Sequence, residues 1–405
     1  MAPSRTRIPR QLHLFRLVTL IILGIAIGCG DDSPTDIDGG YQYAVPEATG
    51  DGWDTGHLSD YGFDLEPIGE MVALVEDGTY PNVHSVLIIR NGVLLLEEYF
   101  PGYSSGGTFY AYDRETKHEC FSVTKSVNSA LIGIAIDDGL IAAAQAQISD
   151  YLPEYADIFV DPDKDRLLLH DLLTMSAGLE WDELTYPYGD PNNSHYWMRR
   201  SPDPIRYTLE RPVAYDPGIQ FAYNSGLSLT LGRIVENATG QRPDLYAEGN
   251  LFAALGITDY FWRLANDGVT LNTGGGLLLR PRDMAKFGQL YLNGGSWGGV
   301  QVVSESWVSE SLRRHTQYCC YGYQWWLIRF QLDDGTLLDS STGIGYGGQY
   351  VFAFSQLDLI VVLTGGNYDQ SISYAYELVE AHILQPLFSL STQLQADGVA
   401  PALVP

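Results

Sequence analysis

Residues 121–126 read Phe-Ser-Val-Thr-Lys-Ser, with a lysine three positions after a serine where a polar loop gives way to small and aliphatic residues. From Ser122 to Asp138 the apolar residues fall on most sides of a helix, and Gly139 follows as a natural C-cap. This describes a helix buried in the middle of a domain. Positions i and i+3 share a helix face, so Ser122 and Lys125 sit side by side at its start, in a low-dielectric setting. A serine hydroxyl is a poor nucleophile until a base takes its proton, and burial turns a lysine into such a base by disfavouring its ammonium form. The serine's own N–H, unclaimed in the first turn, can meet a developing oxyanion. By itself Ser-x-x-Lys fits equally an N-capping serine followed by a lysine that reaches water, so a second element is needed.

That element is PGIQFAYNSGLSLTLGRIVENATG, residues 217–240, where Tyr223-Asn224-Ser225 follows a Pro-Gly turn and again precedes an apolar helix. A tyrosine hydroxyl beside a lysine can shuttle a proton between nucleophile and leaving group. A third element is GIGYGGQYVFAF, residues 343–354, glycines opening a strand. Gly347 and Gly348 would let a substrate approach the backbone, and an N–H there could complete an oxyanion hole.

Ser122-Val123-Thr124-Lys125, then Tyr223-Asn224-Ser225, then Gly345-Tyr346-Gly347-Gly348 resembles the serine β-lactamase and penicillin-binding-protein superfamily in order and context. The nearer likeness is to class C β-lactamase-like hydrolases, including esterases of that fold and nylon-oligomer hydrolases. It runs through residues 122–141, LLTMSAGLEWDE (172–183), RPRDMAKFGQLYLNGGSW (280–297) and YGYQWW (321–326) and covers roughly residues 65 to 385. The resemblance implies an α+β fold, a five-stranded antiparallel sheet with flanking helices plus an inserted helical lobe, with the site between them. It implies Ser122 as acylated nucleophile, Lys125 as proton acceptor and Tyr223 as relay, with Ser225, Tyr346, Gly348 and Gln349 around the substrate and oxyanion. It also implies an ester or amide as the small-molecule substrate, and no cofactor. Two departures stand out: the second motif ends in Ser225 instead of asparagine, and Tyr346 stands where the third motif carries a cation for a substrate carboxylate. Short esters and linear amides are therefore expected ahead of β-lactams. The alternatives are a D-amino peptidase or β-lactamase, or a catalytically weak or inactive cell-envelope binding protein of the same fold, although a binder has no need of a desolvated lysine.

At the other end of the chain, Arg5, Arg7, Arg10 and Arg16 precede an uncharged apolar run from Leu17 to Gly28, too short to span a bilayer comfortably. Residues 1–28 read as a secretory signal, and Cys29 after a small residue resembles the lipidation site of bacterial lipoproteins, which implies a membrane-anchored, exported protein. A conventional signal peptide or an uncleaved anchor is the other reading. Residues 29–60 are acidic and Gly-rich without helix or strand periodicity, as in a tether; residues 61–390 carry the hydrolase pattern, and 391–405 form a tail. The formal charge of −27, with no basic stripe, repels phosphate backbones and argues against a nucleic-acid partner. Cys120, Cys319 and Cys320 remain after the leader, and export permits a disulfide without choosing among them.

Inside the main segment, Asn91-Gly92 between two apolar runs is a strong hairpin signal. Strand-like runs return in YGYQWWLIRF, GGQYVFAFSQ and LDLIVVLTGG, so strands from both ends assemble one sheet around the helical middle. A rival nucleophile sits in GYSSG, residues 102–106, which matches the Gly-x-Ser-x-Gly elbow around Ser104 but has no helix start behind it. His170 reads as a packing or capping residue, and Trp325 and Trp326 as core and cleft wall. No His-Glu-x-x-His or paired Cys-x-x-Cys signature appears, so no metal is implied.

Overall fold

The computed structural model describes residues 35–36, 41–316, 320–368 and 374–388, all in one compact unit that begins at Thr35. The leader, Cys29 and the tail from 391 lie outside the described residues. The central sheet has seven strands: Asp54–Thr55 (β1), Val83–Arg90 (β2), Val93–Tyr99 (β3), Trp326–Gln331 (β4), Leu337–Gly345 (β5), Gln349–Phe354 (β6) and Leu359–Gly365 (β7). Their order is β4-β5-β6-β7-β2-β3-β1, antiparallel throughout except for the short parallel contact of β1 with β3. Asn91 and Gly92 turn the β2–β3 hairpin at φ of +52° and +76°, the left-handed pair that such a two-residue turn requires.

The sheet therefore departs from the five-stranded expectation at β1 and β5. Leu337–Gly345 carries Asp339, Ser340, Ser341, Thr342 and two glycines, a composition poor in strand formers. It forms because it is clamped between β4 and β6, and the buried Ser340 and Thr342 hydroxyls bond each other at 2.9 Å.

Alternation along the inner strands divides two cores. Leu87, Ile89, Val351, Ala353, Ile360 and Val362 face the helical lobe, while Val86, Ile88, Phe352, Phe354, Val361 and Leu363 face the opposite layer. The opposite layer holds Leu65–Glu76 (α1) and the C-terminal helix from Tyr374, which runs through a π turn at Glu380–Leu384 and continues past Pro386 to Phe388. On the lobe side lie Val123–Asp137 (α2), Ser225–Thr239 (α3) and Pro281–Leu292 (α4). Every residue of α2 from Val123 to Ala135 is buried, as the sequence pattern demanded.

Residues 41–60, read above as a tether, are docked on this domain. Tyr43 and Trp53 are buried, and the Trp53 indole donates to the Arg282 carbonyl at 3.3 Å. Acidic, Gly-rich composition hid this attachment because it rests on ion pairs: Arg282, itself buried, donates to Glu97 at 2.7 and 2.5 Å and reaches Thr49 Oγ1, Asp51 and the Glu47 carbonyl. Removing one partner of a buried pair leaves the other charge uncompensated, which typically costs about 3–5 kcal/mol. Arg114 lies 3.4 Å from the Glu97 carboxylate and softens that penalty. Arg282→Ala is thus expected to lower unfolding stability by about 3 kcal/mol, read as a fall in denaturant midpoint. An unchanged midpoint would show that the N-terminal segment is held by Trp53 and Tyr43 packing alone.

Candidate active site

Ser122 stands immediately before α2 with helical dihedrals, and its side chain makes no capping bond. Its hydroxyl is instead engaged by Lys125, whose Nζ lies 3.0 Å from Ser122 Oγ. The capping reading of Ser-x-x-Lys is thereby displaced: this lysine does not reach water. It is 1% exposed, and its three donors are spent on Ser122 Oγ, Ser225 Oγ at 3.0 Å and the Gly274 carbonyl at 2.5 Å. Among the described residues no backbone carbonyl accepts from the Ser122 N–H, in keeping with its place in the first turn.

The turn into Ser122 is strained. Phe121 takes φ of +44°, a conformation that costs a bulky residue on the order of 1–3 kcal/mol. It is held by ring contacts with Tyr346 and Tyr368, both at 5.7 Å between centroids. Gly345 at the end of β5 backs the same turn so closely that a Cβ would collide with the Cys120 carbonyl oxygen. Cys120 is a buried free thiol and Cys320 an exposed one; Cys319 lies outside the described residues.

Tyr223-Asn224-Ser225 divides its labour at the start of α3. Asn224 is the N-cap, its side-chain oxygen accepting from Gly226 N at 2.8 Å and Leu227 N at 3.2 Å. That cap aims its two neighbours at Lys125. The Tyr223 hydroxyl lies beside Ser122, and its ring centroid lies 5.0 Å from Lys125 Nζ and stacks on Trp326.

One functional residue escaped the sequence reading. Glu183, the last residue of LLTMSAGLEWDE, is 3% exposed and accepts from Ser225 N at 2.8 Å, Ser225 Oγ at 2.5 Å, Trp181 Nε1 at 2.9 Å and Tyr188 OH at 3.2 Å. It is the carboxylate that holds Ser225 against Lys125. The residue Gly274, from NTGGG, was also missed, since a backbone carbonyl leaves no side-chain signal.

The third motif splits. Tyr346 lines the cavity in front of Ser122, a space of about 310 Å³ that Phe121, Tyr188 and His195 also wall. Gly348 and Gln349 do not line it. The Gly348 N–H closes the turn onto the Gly345 carbonyl at 3.4 Å, and the buried Gln349 side chain staples β6 to β7 through Gly365 O at 2.7 Å and Gly365 N at 3.2 Å. The expected oxyanion contribution of these two gives way to a structural one. Ser104 occupies the turn of a small hairpin, accepting from Thr108 N at 3.3 Å, with no helix behind it. His170 packs against His315 and Tyr323, and Trp325 is fully buried between Phe287 and Tyr291.

Electrostatics separate the two groups beside Ser122. Burial pushes the Lys125 ammonium down to about 8, even though Glu183 pulls it upward. Burial, seconded by Glu183, pushes the Tyr223 hydroxyl up, so it is a neutral phenol at neutral pH. Of the two groups beside Ser122, the amine is therefore the one that can lose its proton near neutrality.

The Beta-lactamase family profile matches residues 73–375. The 6-aminohexanoate-dimer hydrolase of Paenarthrobacter ureafaciens is 27% identical over 309 residues, 68% of this chain and 70% of that protein. Among solved structures, a family VIII carboxylesterase superposes with a TM-score of 0.59 at 18% identity, covering 81% of this chain and 98% of that one. The octameric penicillin-binding protein homologue from Pyrococcus abyssi gives 0.58 at 19% identity, over 81% and 77%. At such identities the structures establish the fold.

Because the ammonium cannot accept a proton, ester hydrolysis is expected to rise as pH increases through about 8. Glu183→Gln removes the charge that favours the ammonium, so this acid limb should move to lower pH. A rate profile whose limb stays in place in Glu183→Gln would show that Lys125 is not the titrating group.

Proposed function

As a member of the Beta-lactamase family of serine hydrolases, this chain has the parts of an acyl-transfer enzyme, and we propose that it cleaves linear esters or amides through an acyl-enzyme on Ser122. The observation that carries this reading is the buried Lys125 amine at 3.0 Å from a serine hydroxyl that does no capping. Neutral Lys125 takes the Ser122 proton as Oγ forms a bond to the carbonyl carbon. The Ser122 N–H donates to the resulting oxyanion. Collapse breaks the bond to the alcohol or amine, which leaves with a proton delivered through the Tyr223 hydroxyl. Water then attacks the acyl carbon along the same proton path in reverse, and Ser122 is regained.

Ser225 and Glu183 hold Lys125 in register. Tyr346 supplies an aromatic wall where a β-lactam carboxylate would look for a cation, which supports esters and linear amides over β-lactams as substrates. The relative that hydrolyses the 6-aminohexanoate dimer fits the same expectation.

A fluorophosphonate probe is expected to label Ser122 alone. Ser122→Ala and Lys125→Ala should each abolish ester hydrolysis with the fold intact by circular dichroism, while Ser104→Ala keeps labelling and turnover. An adduct mapped to Ser104, or near-normal turnover in Lys125→Ala, would sink the mechanism.

The leader supports export and lipid attachment at Cys29. Mass spectrometry of membrane-extracted protein should find an acylated N-terminal cysteine; a mature chain starting at another residue would remove this part of the proposal.

A further inference from the structure

Acids outnumber bases by more than two to one in this chain, 50 to 23, so a basic side chain has a surplus of carboxylates to choose from. Every other described arginine has taken a partner: a carboxylate, a carbonyl or an aromatic ring. Arg199 has none among the described residues. It follows the short helix Ser194–Met198 and stands exposed on the wall of the cavity that holds Ser122.

The other charges of that wall are committed. Glu119 is bound by Arg263 and by the Ser105 hydroxyl. Asp267 accepts from Val269 N and Thr270 N, both at 3.0 Å, and from Thr270 Oγ1 at 2.6 Å. Arg199 is left as the one wall arginine without any side-chain partner among the described residues.

A second orphan lies one turn back on the same segment. His195 lines the cavity with its ring edge-on to Tyr188 at 4.9 Å, and its Nδ1 is sealed from solvent without a hydrogen bond. Nε2 also lacks a protein partner among the described residues, and it is the ring nitrogen left open to the cavity. A buried N–H without an acceptor is the costlier arrangement, so the neutral ring keeps its lone pair at Nδ1 and its proton at Nε2. Burial favours that neutral form against the pull of Glu183, and Lys125 and Arg199 oppose a further positive charge. An unpaired guanidinium and an unpaired imidazole N–H thus share one wall as donors without acceptors.

We propose that Arg199 and His195 form an anion subsite of the active-site cavity, and that the preferred substrate carries a carboxylate away from the scissile bond. This rests on the ester or amide hydrolase reading and narrows it. Guanidinium and carboxylate match as a two-pronged pair, and Nε2–H supplies a further donor. The cation that Tyr346 lacks is supplied from the helical lobe. Without it, a carboxylate entering a strongly acidic protein beside Glu183 would be repelled.

Two matched ester pairs test the subsite: para-nitrophenyl hydrogen glutarate against para-nitrophenyl pentanoate, with the carboxylate on the acyl half, and meta-carboxyphenyl acetate against phenyl acetate, with it on the leaving half. In one of the pairs the carboxylate ester should have a kcat/KM about tenfold or more above its neutral partner, mainly through KM. Arg199→Ala should collapse that ratio towards one and Arg199→Lys should keep part of it. The preference should also shrink as salt is raised. Neutral esters preferred in both pairs, or a preference unmoved in Arg199→Ala, would overturn the proposal. Should no ester be turned over at all, the hydrolase reading fails separately. Calorimetric titration with glutarate then decides the subsite alone: binding that weakens in Arg199→Ala supports it, and no binding to the unaltered protein refutes it.

Discussion

Everything in the site depends on keeping one ammonium-bearing side chain out of water. Lys125 loses its hydration inside α2, and that loss brings its proton affinity close to neutrality. A bare buried cation would not be tolerated, so three acceptors surround it and Glu183 supplies a compensating charge through Ser225. The balance is fine. More negative charge would lock the lysine as ammonium, and none would leave the protonated intermediate of the reaction without a counter-ion. Tyr223 feels the same carboxylate, which adds to burial in holding its hydroxyl protonated, as the proposed proton delivery to a leaving group requires.

The architecture serves that balance from two sides. α2 and α3 present Ser122, Lys125, Tyr223 and Ser225 from within the lobe, where helix burial excludes water. β5 closes the site from the sheet, with Gly345 pressed against the Cys120 carbonyl and Tyr346 against Phe121. Phe121 at positive φ is the strained link between them, and the packed aromatic cluster of Tyr346 and Tyr368 holds it there.

What could be read from the sequence followed the range over which each signal acts. Ser122 and Lys125 are three residues apart on one helix, so local periodicity paired them, and the resemblance in motif order tied Tyr223-Asn224-Ser225, at the start of another helix, to that pair. The hairpin at Asn91-Gly92 was legible for the same reason, because the turn chemistry is contained in two residues. Glu183 was not, since it sits in a loop and reaches Ser225 only through the tertiary fold. Gly274 contributes a carbonyl, which every residue has. β5 was hidden because its Ser and Thr side chains satisfy one another inside the sheet, and the docking of residues 41–60 because Arg282, far away in sequence, provides its ion pairs. Gly348 and Gln349 followed the motif into the right turn but face away from the cavity, a distinction that spacing does not encode.

The sheet's strand order carries a consequence for how the protein is made. β2 and β3 leave the ribosome early, yet β2 must wait for β7, paired at Val86 with Leu363 and Leu87 with Val362, which is synthesised only after the whole helical lobe. Until then the hairpin can cover only the face that packs on α1, its β2 edge stays open, and the turn at Phe121 lacks the β5 backbone that supports it. Folding is therefore committed late, by the C-terminal strands, and a nascent chain interrupted before residue 365 would contain Ser122, Lys125 and Tyr223 without any means of bringing them to work.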